Sequence, residues 1–298
     1  MYILLPFVSL LTLASARPKP PPSLVKCPVI FDGRVALNAS LATFDGASSP
    51  FNPDYVKGEN RTWSSILLLP RAPASRFDAQ THKSLEVTID DGSLFRAGPN
   101  LQTGFRRAGL LLKDDANDPG ADRADNGSVT FHWSIKQDVH RPLNLSHEYM
   151  NVWHERADYG GNQFMFVGGV VLVGDGGSGV DTKKEREMWK IQNFKNEFVF
   201  QTKILKDEWQ NFAVQLDYAK NTIQVFYSGG NAPLKAMTKP LPNQNEGGGQ
   251  LQIGIAKKPT ETQTVVYDGY QEHIKLRGEG QIYGGIFVED SSKGCISL

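Results

Sequence analysis

The chain has 298 residues, and 32 Lys and Arg balance 32 Asp and Glu, so the formal net charge is zero. That balance argues against nucleic acid and anionic membrane surfaces as partners, since both call for a basic excess. The length suits one large all-β domain as readily as two domains, and 29 Gly and 17 Pro beside 16 Phe, 9 Tyr and 5 Trp suit many strands joined by turns.

Residues 1–16 (MYILLPFVSLLTLASA) are an uncharged apolar run ending on the small residues Ala14 and Ala16. This is the pattern of a signal peptide cleaved before Arg17, although a basic first segment is missing. The run is short for a membrane span and no later stretch is apolar for long enough, so the expectation is a secreted, extracellular protein without a membrane anchor. Residues 17–26 open on RPKPPPS and read as a Pro-rich linker. Residues 27–298 show no break in composition and are expected to form one domain. Cys27 and Cys295 are the two cysteines of the chain, and in an oxidising compartment they read as a disulfide joining the termini. That requires neighbouring first and last strands. The closed loop is nearly the whole chain, worth at most about 5 kcal/mol on the chain-entropy model. Four glycosylation sequons, at Asn38, Asn60, Asn126 and Asn144, fit the same compartment.

Along the chain, residues 28–31 read as a first strand ended by Asp32-Gly33, and 46–60 as a turn-rich surface loop. The apolar run 63–69 stops at Pro70. Leu85, Val87 and Ile89 alternate with polar residues, as a half-buried strand does. Residues 102–112 are expected as another strand, 114–127 as a loop, 129–136 and 163–173 as strands, and 174–181 (GDGGSGVD) as a glycine loop. Residues 183–195 carry the one helix-like pattern. Phe212, Val214, Leu216 and Tyr218, then Ile223, Val225 and Tyr227, alternate on either side of an Ala219-Lys220-Asn221 turn, which predicts a long antiparallel hairpin. Residues 251–256 and 281–288 supply two more strands. About ten strands with almost no helix predict an all-β, antiparallel two-sheet sandwich.

No zinc, phosphate-loop or Gly-x-Ser-x-Gly pattern occurs, so no cofactor or metal is expected, and carboxylate chemistry or plain binding remains. The densest candidate is residues 143–166, LNLSHEYMNVWHERADYGGNQFMF, where carboxylates adjoin aromatic and imidazole side chains. Aromatic rings can cover apolar faces of sugars and carboxyls can do acid–base work on a glycosidic oxygen. An extended segment with its rings in a core and its charges in water accounts for the same residues. Glu148 and Glu155 are seven positions apart, which in a regular strand puts them on opposite faces. They form no catalytic pair unless a bulge intervenes, and a partner is expected from a neighbouring strand.

Several longer segments carry a resemblance. CPVIFDGRVALNASLATFD, SPFNPDYVKGENRTWSSILLLP, QTGFRRA, RPLNLSHEY, NFAVQLDYAKNTIQVFYS and IYGGIFVEDSSKGCISL, in this order from Cys27 to the C-terminus, resemble the fungal glycoside hydrolase family 131 catalytic domain. The resemblance implies a β-jelly-roll, concanavalin A-like sandwich that hydrolyses β-1,3-, β-1,6- or β-1,4-linked glucan by an inverting mechanism. It also implies two catalytic glutamates, one directly after Phe-Arg-Arg-Ala and one in the His-Glu-Tyr strand. The second maps onto Glu148, and the first onto Gly109, which has no carboxyl group. Three readings follow: an active β-glucanase in which Glu155, Glu86 or Asp138 supplies the second acid, a glucan-binding protein impaired in catalysis, and a plain structural sandwich. Arg106, Arg107, His147, Tyr149, Trp153 and Tyr159 are the substrate-binding candidates, β-glucan is the expected partner, and a monomer is the default.

Overall fold

The alternating apolar residues become the inner faces of two packed sheets. The computed structural model describes residues 24–298 apart from 79–80, 174–176, 179–180 and 263. The expected signal peptide, most of the expected linker and most of the expected glycine loop therefore lie outside the described residues. In chain order the strands of the two sheets are β1 (Val29–Asp32), β2 (Leu67–Leu68), β3 (Leu85–Ile89), β4 (Arg106–Leu111), β5 (Ser128–Gln137), β6 (Glu148–Arg156), β7 (Asn162–Gly169), β8 (Met188–Asn193), β9 (Phe198–Lys203), β10 (Gln210–Asp217), β11 (Thr222–Gly229), β12 (Lys235–Ala236), β13 (Leu241–Pro242), β14 (Gly249–Lys257) and β15 (Glu279–Asp290). One sheet runs β12-β11-β10-β5-β15-β3-β2, with β1 beside β15 and β13 beside β11. The other runs β9-β8-β7-β6-β14-β4. Neighbouring strands are antiparallel, giving a two-sheet sandwich of the jelly-roll type.

The expected hairpin is β10–β11, with Phe212 opposite Tyr227, Val214 opposite Val225 and Leu216 opposite Ile223. Its inward rings meet those of the other sheet: Phe166 lies 4.7 Å from Phe212 and 5.4 Å from Trp133 between centroids, and Phe131 lies 5.6 Å from Phe164. Tilted contacts at these distances suit the ring quadrupoles and knit the sheets together. Cys27 and Cys295 are bonded with their Cα atoms 5.8 Å apart. The pairing of β1 with β15 brings the two ends of the chain side by side.

Local expectations shift at three places. Residues 183–195 form a single helical turn, Lys183–Arg186, and then enter β8. Trp189 and Ile191 alternate into the core there, and burying two such side chains outweighs the helix propensity of the Lys and Glu around them. The run 63–69 divides into a helical turn, Trp63–Ile66, and β2. The expected strand 102–112 is broken: Asn100–Gln102 pairs with Phe95–Ala97 in a small separate hairpin before β4 begins.

Candidate active site

Strand β6 carries the candidate residues, and an extra residue in it decides which way they face. Met150 and Val152 pair with the successive residues Val167 and Phe166 of β7, so Asn151 is additional on that side. Tyr149, Val152 and His154 point into the core, where His154 packs on Phe131 and Phe164. Asn151 also points inward, its Nδ2 donating to the Tyr283 hydroxyl at 3.1 Å. Two successive inward residues shift the alternation, as a β-bulge does. Glu148 and Met150 before it, and Trp153 and Glu155 after it, therefore share the outer face. The bulge removes the parity objection to pairing Glu148 with Glu155. Distance replaces it, because seven residues of strand span roughly 20 Å, beyond the roughly 5–10 Å between carboxyls that flank a glycosidic bond.

The outer face forms the floor of a cleft of about 980 Å³. Met150, Trp153, Glu155 and Ala256 line the floor, loop 54–61 forms one wall, and Phe95, Phe105, Tyr159 and Val266 also border it. Arg107, from β4, lies between two rings, with its guanidinium carbon 5.1 Å from the Phe95 centroid and 5.5 Å from that of Trp153. Its Nη2 donates to Gln252 Oε1 at 2.7 Å and lies 3.9 Å from Glu155 Oε2. Gln252 in turn donates from Nε2 to Glu155. Stacking fixes the planar guanidinium, which holds the amide, which holds the carboxylate. Tyr55 stands close by. Burial pushes its phenol up to about 12, with Arg107 opposing and Glu155 adding to the shift, so it stays neutral and able to donate.

Gly109, in β4, turns its open side toward Gln252 and toward Trp153, which lines that floor. A Cβ built there stands 3.4 Å from Gln252 Oε1 and 3.4 Å from Trp153 Cη2. A carboxyl grown from this position therefore lies one amide away from Glu155. Of the two glutamates of β6, Glu155 is the one linked to this position, through Gln252. What faces Glu155 instead is the neutral amide of Gln252. The other carboxylates of the lining, Asp54 and Glu59, come from loop 54–61, and Glu59 is held by Arg96 through two contacts of 3.1 Å.

Glu148 does not line the cleft. Its side chain is 1% exposed, paired with Lys258 Nζ at 2.6 Å and accepting the Leu172 N–H at 2.7 Å. His147 is also buried and both ring nitrogens are engaged, Nδ1 2.8 Å from the Lys258 carbonyl and Nε2 2.7 Å from Glu272. Tyr149 lies in the core and donates to Glu279 at 2.7 Å. Arg106 sits at the foot of β4, donating to the carbonyls of Thr103 and Phe105 at 2.8 and 3.0 Å. Of the expected binding residues, Arg107, Trp153 and Tyr159 line the cleft, whereas Arg106, His147 and Tyr149 do not. Glu86 and Asp138, the other expected second acids, share Arg141, belong to the other sheet's surroundings and do not line the cleft. Tyr55, Phe95, Phe105 and Gln252 escaped the sequence reading. Three of them sit in turns or short hairpins without periodicity, and Gln252 is one polar position in an alternating strand. Among the described residues no group of three His, Cys, Asp or Glu could hold a metal ion.

The fold is similar to solved structures. The β-glucanase catalytic domain from Podospora anserina aligns at a TM-score of 0.63 and 16% identity, covering 88% of this chain and 96% of that one. The catalytic domain of the glycoside hydrolase family 131 protein from Coprinopsis cinerea aligns at 0.63 and 17%, covering 88% and 94%. No curated protein matches the chain in sequence. The family model described as the glycoside hydrolase 131 catalytic N-terminal domain matches residues 29–294, and the chain therefore belongs to glycoside hydrolase family 131.

Proposed function

We propose that the cleft over β6 and β4 holds a β-glucan chain and that Glu155 is its acid–base carboxyl, working without the second carboxylate that position 109 would supply. The observation that carries this is the placement of Gly109 against Trp153 and Gln252, next to Glu155. Phe95, Phe105 and Tyr55 offer apolar faces to sugar rings, while Arg107 and Asn162 offer polar contacts. With one carboxyl where the reaction needs an acid and a base, glucan binding is strong relative to turnover. Loss of one such group costs about 10²–10⁴-fold in rate. Secretion through an oxidising compartment fits the Cys27–Cys295 bond.

The test is calorimetric titration of the purified protein with laminari- and cello-oligosaccharides beside reducing-sugar release from the same substrates. Binding with turnover orders of magnitude below that of Gly109→Glu is the expected result. Turnover that Glu155→Gln leaves unchanged would remove Glu155 from the role. A second reading, full hydrolysis with Asp54 as partner, rests on one contact: the Val56 carbonyl of loop 54–61 accepts the Gly109 N–H at 2.9 Å, which seats this loop beside β4. Asp54→Asn separates the readings, since it abolishes turnover only in the second.

A further inference from the structure

We propose that Asn60 carries an N-linked glycan that stands on the rim of the cleft and limits the length of glucan accepted past loop 54–61. All four sequon asparagines lie at the surface, yet they are not equivalent. Asn144 is engaged: its Nδ2 donates to Glu272 at 2.7 Å and its Oδ1 accepts from the Ser146 hydroxyl at 2.7 Å. A sugar on Nδ2 replaces one of its hydrogens and crowds the Glu272 contact. Asn38 and Asn126 are not part of the cleft lining. Asn60 is part of it, between Glu59 and Arg61 and in the same wall as Gly58. No hydrogen bond among the described residues engages its side-chain amide.

The wall that presents Asn60 is clamped. Arg96 holds Glu59 through two contacts of 3.1 Å, Arg61 reaches Asp90 at 2.7 Å, and Lys57 donates to the Pro53 carbonyl at 2.7 Å. Asn60 itself has φ of 54°, a left-handed conformation that Asn tolerates better than most residues. A glycan on this residue grows from a fixed point on the rim, not from a swinging loop. The Cys27–Cys295 bond independently points to the compartment in which such glycans are added. Because the glycan is bulky and neutral, its effect on a sugar polymer is steric. It restricts chains long enough to pass the wall and spares those contained within the cleft.

The limiting effect rests on the glucan reading of the cleft, and occupancy of Asn60 does not. The full chain, secreted from a eukaryotic host, is analysed by glycopeptide mass spectrometry and titrated with laminaritriose and laminariheptaose. Titrations are run before and after native endoglycosidase trimming, and with Thr62→Ala, which removes the sequon. Thr62→Ser, which keeps both sequon and hydroxyl, must behave as the parent. Asn60 is expected to be occupied, and its trimming to tighten heptaose binding by about fivefold while leaving triose binding unchanged. An unmodified Asn60, or an occupied one whose trimming leaves heptaose affinity unaltered, overturns the proposal. If neither sugar binds any form, the glucan reading fails and the length limit fails with it, and the mass spectrum still decides occupancy.

Discussion

On the proposed reading, replacing Gly109 by Glu should add a second carboxyl beside Glu155 and raise turnover sharply. The new Cβ meets Gln252 Oε1 at 3.4 Å, Trp153 Cη2 at 3.4 Å and Trp153 Cζ2 at 3.6 Å, all at or just beyond van der Waals contact. Gly109 is not among the glycines with a positive φ, so a side chain brings no backbone strain. The carboxyl then extends into the 980 Å³ cleft beside Arg107, whose charge offsets repulsion from Glu155. A positioned acid or base contributes about 10²–10⁴-fold, or roughly 3–5.5 kcal/mol of barrier. The gain expected in reducing-sugar release from laminarin is therefore at least about 100-fold. Proton NMR of the first product reports its anomeric configuration, which should be inverted if the carboxyls stand roughly 6.5–9.5 Å apart. A well-folded Gly109→Glu protein no faster than the parent would refute the geometry. So would a gain that persists in the Gly109→Glu, Glu155→Gln double variant.

Other outcomes follow from contacts already described. Arg107→Lys keeps the charge but loses the stacked fork between Phe95 and Trp153 and the bond to Gln252, so oligosaccharide affinity should fall about tenfold by calorimetry. Unchanged affinity would mean that the stack plays no part in binding. Replacing both Cys27 and Cys295 by Ser releases a loop of 268 residues' separation and should lower guanidinium unfolding stability by up to about 5 kcal/mol. A loss below about 1 kcal/mol would show that β1–β15 pairing alone holds the termini. Burial, with the neighbouring Asp122 adding to it, raises Asp125 from 3.8 to about 7. The folded protein thus keeps a proton that the unfolded chain gives up, so this stabilisation is full below about pH 4 and is lost as pH rises through about 7. Asp125→Asn should therefore flatten the fall in Tm between about pH 4 and pH 7, and parallel Tm curves would count against it.

Much of the sandwich is legible in the sequence because period two is a local property. Phe212, Val214 and Leu216 reveal their strand without reference to any partner. The terminal disulfide is legible because two cysteines leave one intramolecular pairing. What stayed hidden depends on tertiary context. Trp189 and Ile191 fit a short helix until the core that claims them is known. The site is split in the same way. Arg107, Trp153 and Glu155 could be picked out by chemistry, and Gly109 by resemblance. Tyr55 and Phe95 lie in a loop and a short hairpin whose proximity no spacing encodes. Glu148 drew attention by its neighbours in sequence, yet its neighbours in space are Lys258 and Leu172.

Asn151 makes strand β6 behave like a message with a reading frame. Upstream of it one set of positions faces outward, and downstream the complementary set does. Were Asn151 kept but paired as an ordinary ladder residue, with the positions before it unmoved, Trp153 and Glu155 would turn toward Phe131 and Phe164 and His154 would turn outward. A one-residue slip would thus exchange the chemistry of the cleft for that of the core without altering any side chain. The bulge, more than any one side chain, therefore sets which chemistry reaches the cleft.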